Sequence, residues 1–226
     1  MNELYNLFIK PYESYETYQI VLESLAALFG VLSVYFSIKK NIWVYPTGII
    51  STIIYVYILF VFGLLGDCMI NVYYTVMSIY GWFLWSKNSV DEVHVDVTYT
   101  KRKDWFFAVL LFVFSIGLVT LIYYYKPYID NHFAATNDAL GLYHLDWANW
   151  MDIFVTSLFL VGMWLMAKRR IENWIFWIFG DFISIPMYIY KGLGITSAQY
   201  LVFTIMAIIG LIEWRKSYNQ RKNLKK

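Results

Sequence analysis

The stretch N-W-I-F-W-I-F-G-D-F-I-S-I-P-M-Y-I-Y-K-G-L-G-I-T-S-A-Q-Y, residues 173–200, decides how the rest of the chain is interpreted. It is apolar enough for a lipid bilayer, yet it contains an aspartate, and an ionisable group at membrane depth costs about 2.5–3.5 kcal/mol on insertion scales. At about 100° per residue, its polar and aromatic side chains share an arc of about 80°. They are Trp174, Trp177, Asp181, Ser184 and Tyr188. We therefore expect this helix face to line a substrate path.

The composition of the whole chain is typical of a membrane protein. Of its 226 residues, 60% are hydrophobic and 15% are charged, whereas a soluble domain has about 25% charged residues. Aromatic residues make up 21%, which suits a protein with two membrane–water interfaces, where Trp and Tyr collect. The net charge of +2 does not favour a nucleic-acid partner, and the single cysteine, Cys68, allows no internal disulfide.

Seven apolar segments approach the length of about 20 helical residues that a bilayer requires. They lie at about 20–38, 43–62, 68–86, 104–125, 148–167, 174–190 and 197–214. The third and sixth segments are the most polar. The fourth is almost entirely aliphatic and aromatic, which suits a linking or lipid-facing helix. Residues 1–19 are expected to form an interfacial arm, and residues 217–226 a basic cytoplasmic tail.

The basic residues predict an orientation in the membrane. With seven spans, one side holds 15 of the 18 Lys and Arg residues, and the other side holds Lys10, Lys126 and Lys191. Because cytoplasmic loops are enriched in Lys and Arg, the C-terminus is predicted inside and the N-terminus outside. One span more or fewer would scatter these charges over both sides, so the split also favours seven.

The two halves of the chain form a weak internal repeat. Basic pairs at 39–40 and 169–170 follow the first and fifth segments, and glycine turns at 62–67 and 191–196 follow the second and sixth. The third and seventh segments close alike, with G-W-F-L-W at 81–85 and G-L-I-E-W at 210–214. The offset is 129 for these third helices and close to 132 for the second helices.

The repeat predicts the fold class. One linking helix between two three-helix units keeps both units in the same orientation. The prediction is an all-α membrane protein with seven transmembrane helices: two parallel three-helix bundles, residues 20–90 and 147–216, joined by a linking helix at 104–125 (3+1+3). Parallel repeats of this kind occur in transporters whose substrate site lies near the midplane between the halves.

Further candidate site residues lie on the second, third and seventh segments. The third segment has polar and aromatic residues within an arc of about 60°, and the seventh has a comparable stripe. These candidates are Asp67, Asn71, Tyr74, Gln199 and Phe203, with Trp43 at the start of the second segment. Structural roles remain open for several of them: a helix cap for Asp67, an interfacial position for Trp43 and Trp174, and helix–helix hydrogen bonds for the amides. Trp82 and Trp85 are expected in the inner aromatic belt.

The sequence resembles the PnuC family of vitamin transporters. The resemblance rests on K-K-N-I-W-V-Y-P-T-G (39–48), G-L-L-G-D-C-M-I-N-V-Y-Y (63–74) and Y-G-W-F-L-W (80–85) in the first half. In the second half it rests on residues 173–193 and on S-A-Q-Y-L-V-F (197–203) through E-W (213–214). The resemblance covers about residues 20–217. It leaves out both ends of the chain and the loop at 126–146. The set W-x-x-W, G-D and S-I-P-x-Y-x-Y-K is specific as a combination.

The resemblance implies a fold similar to that of the SWEET sugar transporters and uptake of nicotinamide riboside for NAD synthesis. It implies a facilitator in the bacterial inner membrane, with intracellular phosphorylation keeping the gradient inward, and a homotrimer. It also implies ring contacts from Trp174 and Trp177, and hydrogen bonds from Asn71 and Gln199 to ribose or carboxamide. Nicotinamide riboside has a cationic ring, which aromatic faces attract, so this chemistry fits the candidate residues.

Other functions remain to be weighed. Thiamine is also a planar cation and satisfies the same physics, and proton coupling through Asp181 is an alternative to facilitation. An enzyme is not expected, because no catalytic motif appears and no histidine lies in a span. A retinal protein would need a lysine in the last span, and residues 197–214 contain none. No cofactor is expected. The loop 126–146 contains acidic residues and histidines without the spacing of a metal-ligand motif, so a solvated loop is favoured.

Overall fold

The computed structural model describes residues 5, 10, 13, 16–61, 65–131, 133, 140–143, 145–192 and 194–224, and for residues 65–67 and 130 it describes the backbone alone. Within these residues the regular structure is helical, apart from isolated β-bridges. The helices are α1 (Thr17–Ile38), α2 (Val44–Val61), α3 (Leu65–Ser86), α4 (Arg102–Tyr124), α5 (Lys126–Asp130), α6 (Trp147–Ala167), α7 (Asn173–Tyr190) and α8 (Gly194–Leu224). Helices therefore occupy all seven predicted segments, and the short helix α5 follows the fourth.

Five helices of the described part are long and apolar enough to cross a membrane: α1, α2, α4, α6 and α8. The two other long helices are α3 and α7, which coincide with the third and sixth segments, the most polar ones in the sequence. The protein is thus an all-helical, multi-pass membrane protein. The last helix continues to Leu224, so the basic C-terminal residues up to that point are helical.

The helices pack in two sets. Helices α1, α2 and α3 pack on one another in chain order, and α6, α7 and α8 do the same. The two sets meet where α1 packs on α8 and where α3 packs on α6, while α4 packs on the outside of α6. This closed arrangement of six helices leaves a space between the two sets.

The repeat has one constant offset of 129 positions. Helices α2 and α7 begin and end at this spacing, α3 and α8 begin at it, and α1 and α6 end at it. The offset near 132 that the sequence suggested for the second helices is therefore wrong by three positions. The openings W-V-Y-P-T-G (43–48) and W-I-F-W-I-F-G (174–180) suggested that Trp43 matches Trp174, 131 positions later, but these two tryptophans do not occupy equivalent places.

Reciprocal hydrogen bonds join the two sets of helices. The indole N–H of Trp85 donates to the carbonyl oxygen of Met166 at 3.2 Å, and the indole N–H of Trp214 donates to that of Ser37 at 2.9 Å. Both pairs of partners are related by the offset of 129. Trp85 is 0% exposed, so the expected belt position was wrong for it, whereas Trp82 is 42% exposed.

Two glycines make room for the aromatic side chains that pack on these tryptophans. Tyr45 in the first half and Trp174 in the second each pack edge-on against the tryptophan of the same half, with ring centroids 5.2 and 5.4 Å apart. A Cβ on Gly81 would overlap the phenol of Tyr45, and a Cβ on Gly210 would stand 2.6 Å from the indole of Trp174. Large aromatic side chains therefore lie directly on the backbone of the neighbouring helix, which a side chain at either glycine would prevent.

A connecting segment, residues 87–101, ties the two halves together on the side of their basic loops. The backbone N–H of Val95 donates to the carbonyl oxygen of Lys40, and that of Thr98 donates to the carbonyl oxygen of Arg169, both at 3.0 Å. The ammonium of Lys40 also donates to the hydroxyl of Ser217 on α8 at 2.7 Å. Its partial burial there lowers the pKa of Lys40 below the usual value. This network holds both loops and the end of α8 in one place.

Candidate functional site

A cavity of about 250 Å³ lies between the two sets of helices. Helices α1, α2, α3, α6, α7 and α8 all contribute to its lining. The size is slightly below the range of about 300–1,000 Å³ that is common for small-molecule sites. Seven of the candidate residues from the sequence line it: Asn71, Tyr74, Trp174, Trp177, Asp181, Gln199 and Phe203.

An aromatic wall forms the second-half side of the cavity. The ring of Phe159 stacks on the indole of Trp177, with centroids 5.2 Å apart and an interplanar angle of 27°. The ring of Tyr200 lies parallel to Phe159 at 6.3 Å. Gly162 allows the close approach of Trp177, because a Cβ there would stand 3.3 Å from the indole. This wall offers extended flat faces of the kind that bind planar or cationic rings.

Trp174 forms part of the cavity lining and is buried among the helices. Its side chain is 2% exposed, packed between Gly210 and Trp214. Its indole N–H is buried and has no hydrogen-bond partner among the described residues. Since a buried donor without a partner costs about 1–3 kcal/mol, a water or a ligand atom at this position would be favourable.

Asp181 supplies a carboxylate to the lining. The residue is 4% exposed, and it follows Gly180, on which Phe159 packs. No Lys or Arg is among the residues that line the cavity. The repeat equivalent of Asp181 in the first half is Thr52, which accepts a hydrogen bond from the hydroxyl of Thr75 at 2.8 Å. The acidic group is therefore specific to one half, and no basic side chain accompanies it in the lining.

Two amides lie in the lining. Gln199 on α8 lies close to the hydroxyl of Tyr55 on α2, so the two halves approach each other here across the cavity. Asn71 lies on α3, and its repeat equivalent is Tyr200 on α8. An amide side chain has two donors and two acceptor lone pairs, so it can bind a ligand in addition to a protein partner.

Four candidates lie elsewhere, among them Ser184, whose hydroxyl donates to the carbonyl oxygen of Gly180 at 2.9 Å within α7. Trp43 precedes α2 and is 54% exposed, outside the cavity lining. Tyr188 is not part of the lining but stacks on Tyr200, with centroids 5.1 Å apart and an angle of 11°. Asp67 lies in the first turn of α3, and its side chain is outside the described residues.

The structure adds lining residues that the sequence did not identify. Phe159 and Met163 come from α6, and Ser33 comes from α1. Both helices are apolar over most of their length, so no change of pattern distinguished the cavity-facing positions. The repeat could have identified Ser33 as a lining residue, because its equivalent in the second half is Gly162, which lies beside Trp177.

No group of three or more His, Cys, Asp or Glu side chains comes together in the described part of the chain. Of the loop residues considered as metal ligands, Asp146 accepts a hydrogen bond from the backbone N–H of Asn149 at 2.8 Å and caps α6. The side chains of Asp130, His132, Asp138 and His144 are outside the described residues.

The fold and the cavity define a class: a multi-pass helical membrane protein with an internal aromatic site between two repeated halves. Residues 20–216 match the family model described as "Nicotinamide mononucleotide transporter", and the chain belongs to this family of transporters. The resemblance to PnuC is thereby confirmed. As a member of a transporter family, the protein is not an enzyme.

Relatives of known function are similar over most of the chain. The nicotinamide riboside transporter PnuC of Escherichia coli (strain K12) is 25% identical over 88% of this chain and 87% of its own length. PnuC of Neisseria mucosa is 28% identical over 86% of this chain and 72% of its own length. The riboflavin/roseoflavin transporter RibM of Streptomyces davaonensis is 18% identical over 83% of this chain and 81% of its own length.

A solved structure has the same fold. The crystal structure of the vitamin B3 transporter PnuC superposes with a TM-score of 0.64, covering 88% of this chain and 82% of that one. The two sequences are 23% identical, so the likeness concerns the fold.

Proposed function

We propose that this protein carries nicotinamide riboside across the membrane. The observation that carries the proposal is the cavity itself, with stacked aromatic faces on one side and the carboxylate of Asp181 among them. A cationic pyridinium ring gains about 0.5–2 kcal/mol from an aromatic face, more when partly desolvated. The names of the PnuC relatives support the same substrate.

The charge of the cavity favours the riboside over its mononucleotide. A phosphate usually needs Arg or Lys for recognition, and the lining contains neither. Asp181 would also repel a phosphate group. The description of the family names the mononucleotide, so the two ligands should be compared directly.

We further propose the 3+1+3 arrangement of seven spans for the membrane-embedded protein. In this arrangement, residues 20–90 and 147–216 form the two bundles, and 104–125 forms the linking helix. The constant offset of 129 between the two sets supports it. The position of 15 of the 18 basic residues supports a cytoplasmic C-terminus and an outer N-terminus in a bacterial inner membrane.

Facilitated diffusion is the energetically simplest mode of transport for this site. Uptake would be made one-way by phosphorylation of the vitamin inside the cell. Proton coupling through Asp181 is the alternative, and it predicts uptake that responds to a pH gradient in vesicles without a kinase. A homotrimer is proposed on the resemblance alone, and light scattering of the purified protein in detergent would measure its mass.

Ligand binding to purified protein tests the function. Nicotinamide riboside, its mononucleotide, thiamine and riboflavin should be titrated into the same preparation by calorimetry. We expect saturable binding of the riboside, with the other three at least about tenfold weaker, a difference of about 1.4 kcal/mol. Preferential binding of thiamine or of riboflavin would contradict the substrate assignment while leaving the transporter class intact.

A further inference from the structure

The two halves of the chain line the cavity with different residues, although their helices are related by the repeat. The stacked pair of the aromatic wall, Phe159 and Trp177, has its repeat equivalents 129 positions earlier at Gly30 and Gly48. All four residues line the cavity. Two large aromatic side chains on one side are thus replaced by two glycines on the other. Without these two rings, serine side chains form this part of the first-half wall, which we call the glycine hollow.

Hydroxyl groups line the glycine hollow. A Cβ on Gly48 would stand 3.0 Å from the hydroxyl oxygen of Ser33 and 3.7 Å from that of Ser78. A Cβ on Gly30 would stand 3.3 Å from the hydroxyl oxygen of Ser51. These three serines belong to the lining of the same cavity. The space opposite the aromatic wall is therefore small and polar.

The hydrogen bonds of these serines leave capacity for a ligand. Ser33 donates to the carbonyl oxygen of Val44, and Ser51 donates to that of Ala26, each at 2.8 Å. Both oxygens can still accept, because a hydroxyl has two acceptor lone pairs. Ser78 is 3% exposed, and its hydroxyl makes no hydrogen bond within the part of the chain that the structure describes. The hollow thus offers one unused donor and several acceptors, a pattern that suits a ligand with hydroxyl groups.

We infer that the sugar hydroxyls of the ligand bind in the glycine hollow while its flat ring lies on the aromatic wall. The inference rests on the proposed function, because it takes a ligand with one ring and one sugar. It makes Gly30 and Gly48 determinants of specificity, since a side chain at either position would displace the serine hydroxyls that contact the sugar. It also gives Ser78 a direct contact with the ligand.

The test compares two ligands that differ only in the hydroxyls. Nicotinamide riboside and its 2′,3′-dideoxy analogue share the cationic ring and the furanose. Ser78→Ala should weaken binding of the riboside about 3- to 10-fold, the range for one net hydrogen bond. It should change binding of the dideoxy analogue less than about twofold, as expected when the interaction partner is absent. Ser115→Ala is the matched control, because Ser115 is a buried serine on α4 outside the lining.

A second variant tests the volume of the hollow. Gly48→Ala places a methyl group beside the serine hydroxyls, so it should weaken binding of the riboside more than binding of the dideoxy analogue. An equal loss for both ligands, or no loss with either variant, would overturn the placement of the sugar while the proposed function stands. A wild-type protein that binds no nicotinamide riboside would overturn both.

Discussion

Replacement of Trp177 is the most direct test of the aromatic wall. The indole lines the cavity and stacks on Phe159 at 5.2 Å. Trp177→Ala removes this face, and a cation–π contact of about 0.5–2 kcal/mol corresponds to about a 2- to 30-fold increase in Kd. Trp177→Phe keeps an aromatic face of smaller area, so its effect should be intermediate.

The assay can separate charge from shape. Calorimetric titration of the purified protein would use nicotinamide riboside and its neutral 1,4-dihydro form, which has a similar outline without the positive charge. The loss caused by Trp177→Ala should be larger for the cation. Trp82→Ala is the matched control, because Trp82 is 42% exposed and outside the lining. Unchanged affinity of a folded Trp177→Ala protein would refute the stacking role.

Three further predictions follow from other contacts. Asp181→Asn should weaken binding of the cationic ligand by about 1–3 kcal/mol, which is the Coulomb range at about 6 Å in an effective dielectric of 20 or more. In the same titration, binding of the neutral dihydro form should not change. Gly210→Ala should lower the unfolding free energy by about 1–3 kcal/mol through overpacking, measured by thermal unfolding in detergent with Gly117→Ala as control. Trp85→Phe and Trp214→Phe should each lose about 1 kcal/mol, one buried hydrogen bond, in the same unfolding assay.

Each of these outcomes can fail in a recognisable way. Equal losses for charged and neutral ligands would mean that Asp181 acts on the structure of the site and not on ligand charge. A Gly210→Ala protein as stable as the control would contradict the close packing on that glycine, since Gly117 has nothing within 4 Å of a built Cβ. A strong loss for one tryptophan and none for the other would contradict the equivalence of the two halves.

Much of the fold could be predicted from the sequence because few solutions satisfy a bilayer. Span length and the paired glycine turns depend on local composition, and they place the long helices correctly. Asp181 was also predictable as a cavity residue, because a carboxylate in an apolar helix needs a polar surrounding. These features do not require knowledge of packing.

The register of the repeat could not be predicted in the same way. Aligning Trp43 with Trp174 was chemically reasonable, but the true equivalent of Trp174 is Tyr45. The difference of two residues corresponds to about 200° around a helix, which separates a buried position from an exposed one. Tyr45 is 1% exposed and Trp43 is 54% exposed. Only the packing of each aromatic ring on its glycine distinguishes the two registers.

The cavity wall was only partly predictable for a related reason. Phe159 lies among other large apolar residues of α6, and composition does not reveal which of them faces inward. Gly30 and Gly48 would ordinarily be interpreted as sites of close helix packing. That they line the cavity is visible only in the structure, and their difference from the aromatic residues at the equivalent positions becomes visible only once the register of the repeat is known.

The distribution of conserved and altered roles between the two halves has a physical reason. Positions that hold the helices together keep the same role in both halves, as the indole hydrogen bonds of Trp85 and Trp214 do. Positions that face the cavity differ, as glycine differs from tryptophan at 48 and 177. A movement that exposes one site to either side of a membrane is easiest between halves of similar mechanics. A ligand with a charged ring at one end and a sugar at the other binds best when the two walls are unlike. Separate sets of residues meet these two requirements, so the lining can change its specificity without disturbing the frame.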